Sequence, residues 1–508
     1  MNALAPLASA KTAPTLASLS SNARQIFLVT MNWGDRCWDS KSKLVRDAPN
    51  GRPTVRESSS YALGLLLRDG PGDRTRAAEI LNAVLAQQYD EPGKPYYGTF
   101  RRNLWEPSAH DGAVIWKDYD PNWREFIGTT FAMILEEFPN RIPRDLARRL
   151  NESIVRAVVG EIGNKRLVPT YTNPALMYGF LWNYAAVRNH RADWVTGSRA
   201  WQETVYSLFK KHNTFNEYNS PTYSGVDLYA LALWRRYGAT TRTRAMGSEM
   251  ETALWRDLAV FYNANLRNIS GPFDRAYGMD MKSYVSVVGM ALRTVLGANI
   301  APLPEQDPPV THGGDLWFSP YFAVLGVKIP ADAMRSFDGF QGERFVKRQI
   351  TDRRIAEAWI GRRVMYGGEI TDKSRDISGE SQFHAATVQW RTPSGEIGWI
   401  QLIQAPPVDA AADKHGLVIA CSGDVSLRIH AEGITAANVK QAEWVLPGLT
   451  IHIAADAKRF SVTSGAEKVE VKYSKITKMR LNIEPTGQRE NTGSQKRVTI
   501  KVAKHQGA

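Results

Sequence analysis

A chain of 508 residues, 43% of them hydrophobic, can bury a large core, and its length allows two to three domains. Lys and Arg outnumber Asp and Glu by 64 to 51; the formal net charge of +13 favours polyanionic partners, yet no block of five or six basic residues occurs, which argues against a nucleic-acid-binding tail. The two cysteines, Cys37 and Cys421, stand most of the chain apart, with no CxxC and no His/Cys cluster at zinc spacing, so neither a disulfide framework nor a cysteine-rich metal site is indicated.

Residues 1–22 read as a flexible segment rich in Ala, Ser, Thr and Pro. It lacks the basic start and unbroken apolar stretch of a signal peptide, although Leu7-Ala-Ser-Ala10 has the form of a cleavage-site tail. A secreted or periplasmic protein is expected, with a cytoplasmic one as the alternative. No stretch approaches the roughly twenty apolar residues of a membrane span.

Helical spacing then dominates residues 23–300, from about Arg56 to Leu296: Arg74–Gln88, Trp123–Phe138, Arg144–Gly160, Pro174–Asn189, Ser198–His212, Ser224–Tyr237, Ser248–Leu266 and Asp280–Leu296. Short turns between them predict helical hairpins arranged around a ring, without the repeated motif of a TPR or HEAT array. Prolines 302, 304, 308 and 309 cannot continue a helix, and residues 301–346 read as a Pro-rich linker and connecting segment.

Beyond Lys347, short β-rich runs take over: Ala356–Tyr366, Ala385–Arg391, Ile397–Gln404, Gly416–Ala420, Ser426–His430, Leu449–Ile453, Val469–Tyr473 and Arg497–Val502, the last preceded by a polar loop over 487–496. The predicted fold is α+β and multidomain: an N-terminal (α/α) toroid, an incomplete barrel of helical hairpins, followed by an antiparallel β-sandwich over 347–508.

The chemistry concentrates at Phe215-Asn-Glu-Tyr-Asn-Ser-Pro-Thr-Tyr223, which places Glu217, Asn219 and Tyr223 at the mouth of a helix that Ser220 and Pro221 start. A second cluster, Asp118-Tyr-Asp-Pro-Asn-Trp-Arg-Glu-Phe-Ile-Gly128, opens another helix with Asn122, Trp123 and Arg124. There a tryptophan face suits a sugar ring, and Arg124 with the helix N-terminus suits a carboxylate. Trp105, His110, Trp116 and Trp182 are further candidates for a carbohydrate-lined cleft; with 15 tryptophans in the chain, many are structural.

This architecture, together with the Glu-x-x-Ser-Pro-x-Tyr pattern of Glu217, Ser220, Pro221 and Tyr223, resembles the heparinase II/III-like and alginate-lyase-like polysaccharide lyases. The Asn-Trp-x-x-x-Ile-Gly run of Asn122, Trp123, Ile127 and Gly128 is similar to that of helical-toroid lyases acting on hyaluronan-like polymers. The resemblance implies that Tyr223 is the base and that Asn173, fifty residues earlier, binds the substrate carboxyl. It also implies a third residue, for which His384 is the choice and Tyr277 the substitute. The implied partner is an acidic, uronate-containing polysaccharide.

Elimination at a 4-linked uronate removes the C5 proton and expels the C4 oxygen. Charge builds on the carboxyl group, so donors such as Asn173, Arg275 or a histidine belong where it develops. One tyrosine can be both base and acid if nearby cations pull its phenol below the ordinary value of about 10. No organic cofactor is required; a structural metal would have ligands that the sequence does not reveal.

Each residue also has a structural counterpart. Tyr223 can be a packed aromatic, Asn173 a helix cap, Trp123 a core anchor, Arg124 half of an ion pair, His384 a satisfied histidine and Glu217 a capping carboxylate that orients Tyr223 or an arginine. Two other functions stand beside the lyase: a glycoside hydrolase drawing on Asp118, Asp120, Glu125, Glu217 or Asp227, and a non-catalytic binder of acidic polysaccharide.

Overall fold

The computed structural model describes residues 13–304, 311–379, 382–465 and 468–486. Part of the N-terminal segment, the prolines at 308 and 309, the 487–496 loop and the strand expected at Arg497–Val502 lie outside the described residues. The helical half runs α1 (Ser21–Cys37), β1 (Trp38–Asp39), β2 (Leu44–Arg46), β3 (Pro53–Thr54), α2 (Arg56–Arg68), α3 (Asp73–Leu85), α4 (Trp123–Glu137), α5 (Arg144–Asn164), α6 (Thr172–Arg188), α7 (Ala192–His212), α8 (Tyr223–Tyr237), α9 (Thr241–Phe261), β4 (Tyr262–Asn263), β5 (Asn268–Ile269), α10 (Val287–Leu296), α11 (Ser319–Leu325) and α12 (Ala331–Asp338).

These helices form an (α/α) toroid. α2, α4, α6, α8 and α10 line its inside, while α3, α5, α7 and α9 each return along the outside against the helix before them. The sequence dictates the layering. Every residue from Ser224 to Trp234 of α8 is buried, as an inner helix requires, whereas α5 buries only a stripe that includes Leu146, Leu150, Ile154 and Val158 and leaves charges outside. Gly225 lets α8 and α10 start in near contact: a Cβ there would lie 2.5 Å from the backbone of Val287. The inner helices all begin at one end of the ring, which becomes its mouth.

The segment expected to be a linker is more than that. α11 packs against α1, α2, α8 and α10 and closes the ring, and α12 packs on α9. The prolines around 302–309 concealed this return to helix. At the other predicted edge, α10 begins at Val287, because Ser286 caps it by accepting from Gly289 N at 3.1 Å.

The second half comprises β6 (Arg344–Gln349), β7 (Ile355–Ile360), β8 (Val364–Ile370), β9 (Ala386–Arg391), β10 (Ile397–Gln404), β11 (Asp409–Asp413), β12 (Gly416–His430), β13 (Glu443–Leu446), β14 (Leu449–Ala455), β15 (Arg459–Gly465) and β16 (Lys468–Pro485). Antiparallel pairing runs β13-β14-β16-β12-β10-β9-β8-β7-β6, with β11 added to β12 and β15 to β16. Register shifts around Gly423 bend β12, and the strand order turns back so that β11 lies across β8, which gives the sandwich. Two glycines show β8 caught between layers. A Cβ on Gly368 would meet Ala410 O of β11 at 2.6 Å, and one on Gly367 would meet Gly271 O of the toroid at 1.8 Å.

Candidate active site

The mouth of the ring is assembled from both halves. Asn219 adopts a left-handed conformation (φ 49°), and its amide donates to Ser270 O and Pro272 O, each at 2.8 Å. Ser220 accepts from Tyr223 N at 2.9 Å and donates to Arg275 O, so one hydroxyl locates both Tyr223 and Arg275. The sheet holds the 270–277 loop from the other side: Phe273 and His384 exchange backbone hydrogen bonds of 3.1 and 2.9 Å, and Ala276 N donates to Gln382 O at 2.9 Å.

Arg275 is the hub. Its Nη2 donates to Tyr223 Oη at 2.7 Å, its Nη1 to Glu217 Oε1 at 2.7 Å and its Nε to Gln382 Oε1 at 2.9 Å. Its guanidinium carbon also sits 3.7 Å from the Tyr223 ring centroid. Glu217 uses its second oxygen to accept from Asn173 Nδ2 at 3.1 Å. An amide carries two N–H groups, so Asn173 retains one. Tyr223 Oη and Tyr277 Oη share a short hydrogen bond, and Tyr277, 38% exposed, leads outward to His312, whose ring centroid lies 4.2 Å away.

Burial sets the protonation states. It pushes the Tyr223 phenol up, with Arg275 opposing it and Tyr277 and Glu217 adding to it. The lowered phenol expected from the nearby arginine is therefore not found: desolvation outweighs one cation, and the resting Tyr223 is neutral. Glu217 is also raised by burial against the pull of Arg275. One turn beneath Tyr223, fully buried Asp227 has no hydrogen-bond partner on either oxygen among the described residues, and burial holds its carboxyl well above the ordinary range.

Tyr223, Asn173, Glu217, Arg275 and Tyr277 thus come together, while other expected residues lie elsewhere. Arg124 has no exposed side-chain surface. Its donors go to Tyr97 O, Pro95 O and Glu161 Oε2 (2.9 Å), so it staples a loop to the ring rather than meeting a ligand. Trp123 is only 8% exposed and has Arg56 over its ring, which makes it a core anchor. Trp182 stacks on Tyr178 and abuts Gly197, about two and a half turns along α6 from Asn173, where it wedges α6 against α7.

Asn219 is a buried clamp. His384 is also buried, and its Nε2 lies 3.4 Å from Ala276 O; desolvation lowers it to about 4 and keeps it neutral, so it supports the 270–277 loop instead of reaching Tyr223. Asn122 stays at the mouth, its amide 3.4 Å from Tyr171 Oη. Trp105, His110 and Trp116 are exposed on the loop that precedes α4, with Arg52 over Trp105 and Arg166 over Trp116.

Tyr171, His312 and Gln382 escaped the sequence reading. The only local signal for His312 is its place in Thr-His-Gly-Gly, after the prolines. Among the described residues, no group of three or more His, Cys, Asp or Glu side chains could hold a metal ion, and no helix is long and apolar enough to cross a membrane. Both cysteines are buried and unpaired.

A family described as a domain of unknown function, DUF8769, matches residues 24–327. No curated protein matches the chain. Among solved structures, it is similar to the crystal structure of heparinase III, at 11% identity over 96% of this chain and 89% of that one, with a TM-score of 0.43. It is also similar to endoglucanase CelQ from Clostridium thermocellum complexed with cellobiose and cellotriose, at 9% identity over 92% and 84%, with a TM-score of 0.22.

Proposed function

The chain belongs to the DUF8769 family, and from its cleft we propose a polysaccharide lyase that cleaves a uronate-containing polymer by β-elimination. The observation that carries this reading is the convergence of Arg275 and Tyr277 on the hydroxyl of Tyr223. The Arg275 donor aimed at this phenol oxygen stabilises it when it is ionised, which is what a base needs, against the opposing effect of burial, Tyr277 and Glu217. Tyr277, the outer phenol, passes the displaced proton to solvent.

The reaction then proceeds in four movements. Tyr223 takes the C5 proton, the electron pair of that bond forms C4=C5, the C4–O bond breaks, and the leaving oxygen recovers the proton from Tyr223. Charge on the sugar carboxyl meets the remaining amide hydrogen of Asn173 and the guanidinium of Arg275. Glu217 positions both donors rather than touching the sugar. The net charge of +13 draws an acidic polymer toward the mouth.

A glycoside hydrolase is the second reading, and Asp315 favours it. Burial pushes this carboxyl up to about 7 with Arg56 opposing, so that it could carry an acid's proton at neutral pH. Of the carboxylates considered from sequence, Glu217 is tied to Arg275, and Glu125 and Asp227 are fully buried.

Incubation with glucuronan, alginate, hyaluronan and heparan sulfate separates the two. Ultraviolet absorbance of a new C4=C5 bond, lost in Tyr223→Phe, supports elimination. New reducing ends without that absorbance support hydrolysis.

A further inference from the structure

The two halves also border a half-open cavity of about 190 Å³ behind the cleft, between the entry to α6, the end of α7 and the β6–β7 turn. It is smaller than the roughly 300–1,000 Å³ of drug-sized pockets. One ring-sized group fits. We propose that this cavity is a second carbohydrate subsite, which takes a single acidic sugar unit and places its charge against Lys211. The proposal rests on the lyase reading insofar as the unit belongs to the same polymer.

The lining has the two faces that a pyranose presents. Val205, Phe209, Phe215 and Ile350, all buried, give an apolar floor for ring C–H groups, and Thr170 and Thr351 supply rim hydroxyls for equatorial oxygens. Lys211 supplies the charge. Neighbouring Lys210 is paired with Glu249 at 2.5 Å, and Asp352, which also lines the cavity, has His212 Nε2 3.2 Å away, whereas Lys211 has no ion pair among the described residues.

The cavity is pre-formed and stands back to back with the cleft. Arg354 ties the β6–β7 turn to Asn216 O at 3.0 Å and to Asp274 and Glu369, each at 2.7 Å, which braces both walls. In the shared wall, Thr170 and Thr172 line the cavity while Tyr171 between them contacts Asn122 at the mouth; likewise Asn216 lines the cavity while Glu217 holds Arg275. Thr170 and Asn216 are exposed at the top of the wall, where a polymer leaving the cleft would cross into the cavity.

Methyl spectra of the isotopically labelled full chain, titrated with sodium D-glucuronate and separately with D-glucose, provide the test. The Ile350 and Val205 methyls should shift saturably with glucuronate, equally in Tyr223→Phe, and not in Thr351→Trp, which fills the cavity. Lys211→Glu, an exposed change that spares the core, should raise the titration midpoint about fivefold, and glucose should bind more weakly than glucuronate. Silent Ile350 and Val205 methyls, or shifts indifferent to Thr351→Trp, would overturn the site; equal response to glucose with no effect of Lys211→Glu would overturn the acidic sugar. Binding here needs no turnover, so elimination without these shifts removes the cavity alone, and shifts without elimination on any polymer remove the lyase alone.

Discussion

Arg275 meets Tyr223 in two ways at once, lying 3.7 Å from the centre of its ring and donating to its hydroxyl at 2.7 Å. The arginine favours the phenolate and burial disfavours it, and burial prevails. The ionised fraction of Tyr223 at pH 7 is therefore smaller than that of an ordinary tyrosine, and it grows with pH. Turnover on the responsive polymer should climb from pH 7 without a plateau below about 10, the ordinary tyrosine value. A rate already flat above pH 7 would assign the base to another group.

Tyr223→Phe removes the reacting oxygen but keeps the ring beneath Arg275. A fall in kcat of about 10²–10⁴ is expected, the usual contribution of a general base. Tyr277→Phe, which takes only the relay and one donor, should cost less. Steady-state absorbance assays of both variants on one polymer check the order; the reverse order would make Tyr277 the base.

Arg275→Lys keeps the charge and loses the fork that joins Glu217, Tyr223 and Gln382. A point-like ammonium cannot reproduce three directed bonds, and kcat/KM should fall by about 10²–10³. Thermal unfolding measured alongside separates this loss from misfolding.

Arg124→Met tests the reassignment of that residue to the core. It leaves buried Glu161 with only the longer 3.4 Å contact to Arg166, a loss of at most about 3–5 kcal/mol. The denaturant midpoint should drop accordingly while the folded fraction turns over polymer as before. A substrate-binding arginine would give the opposite pattern, with KM raised and stability kept.

His384 makes stability depend on acid. Its folded value, depressed to about 4, lies below the unfolded value near 6.5, so between these limits the unfolded chain binds the proton more readily. The stability it contributes is complete above pH 6.5 and is lost as pH falls toward 4, by about 3 kcal/mol at most. Asp257 and Asp315, raised to about 6 and 7, act with the opposite sign over the same range. The stability difference between wild type and His384→Gln, followed by urea titration from pH 7 to 4.5, isolates the histidine. A difference constant with pH would mean that His384 takes up its proton as readily in the folded chain as in the unfolded one.

Local periodicity made most of the fold legible. α4 starts at Trp123 as expected, and β10 spans Ile397–Gln404 as expected, because turn residues bound apolar runs at both places. Where sequence reading failed, a long-range contact decided the outcome. β12 was expected as two strands, since the bulge around Gly423 interrupts its alternation. α11 returns to the ring only because α2, α8 and α10 leave room for it. In the site, Tyr223, Asn173 and Arg275 could be found because they flank helix starts and turns. Arg124 and Trp123 occupy an equally good helix start, and nothing local reveals that the loop through Tyr97 covers it. His312 enters through a fold of the chain 35 residues beyond Tyr277, and Gln382, although only two residues before His384, carries no local signal that it meets Arg275.

The backbone bridge between Phe273 and His384 makes the geometry of one half depend on the other. The arginine hub hangs on a loop that is laced to the segment before β9 of the other half, so exchanging one half for a foreign module would undo the alignment of Arg275 with Tyr223. Changes in the sheet around Gly367 and His384 are thus as much a matter for the reaction as changes in the ring.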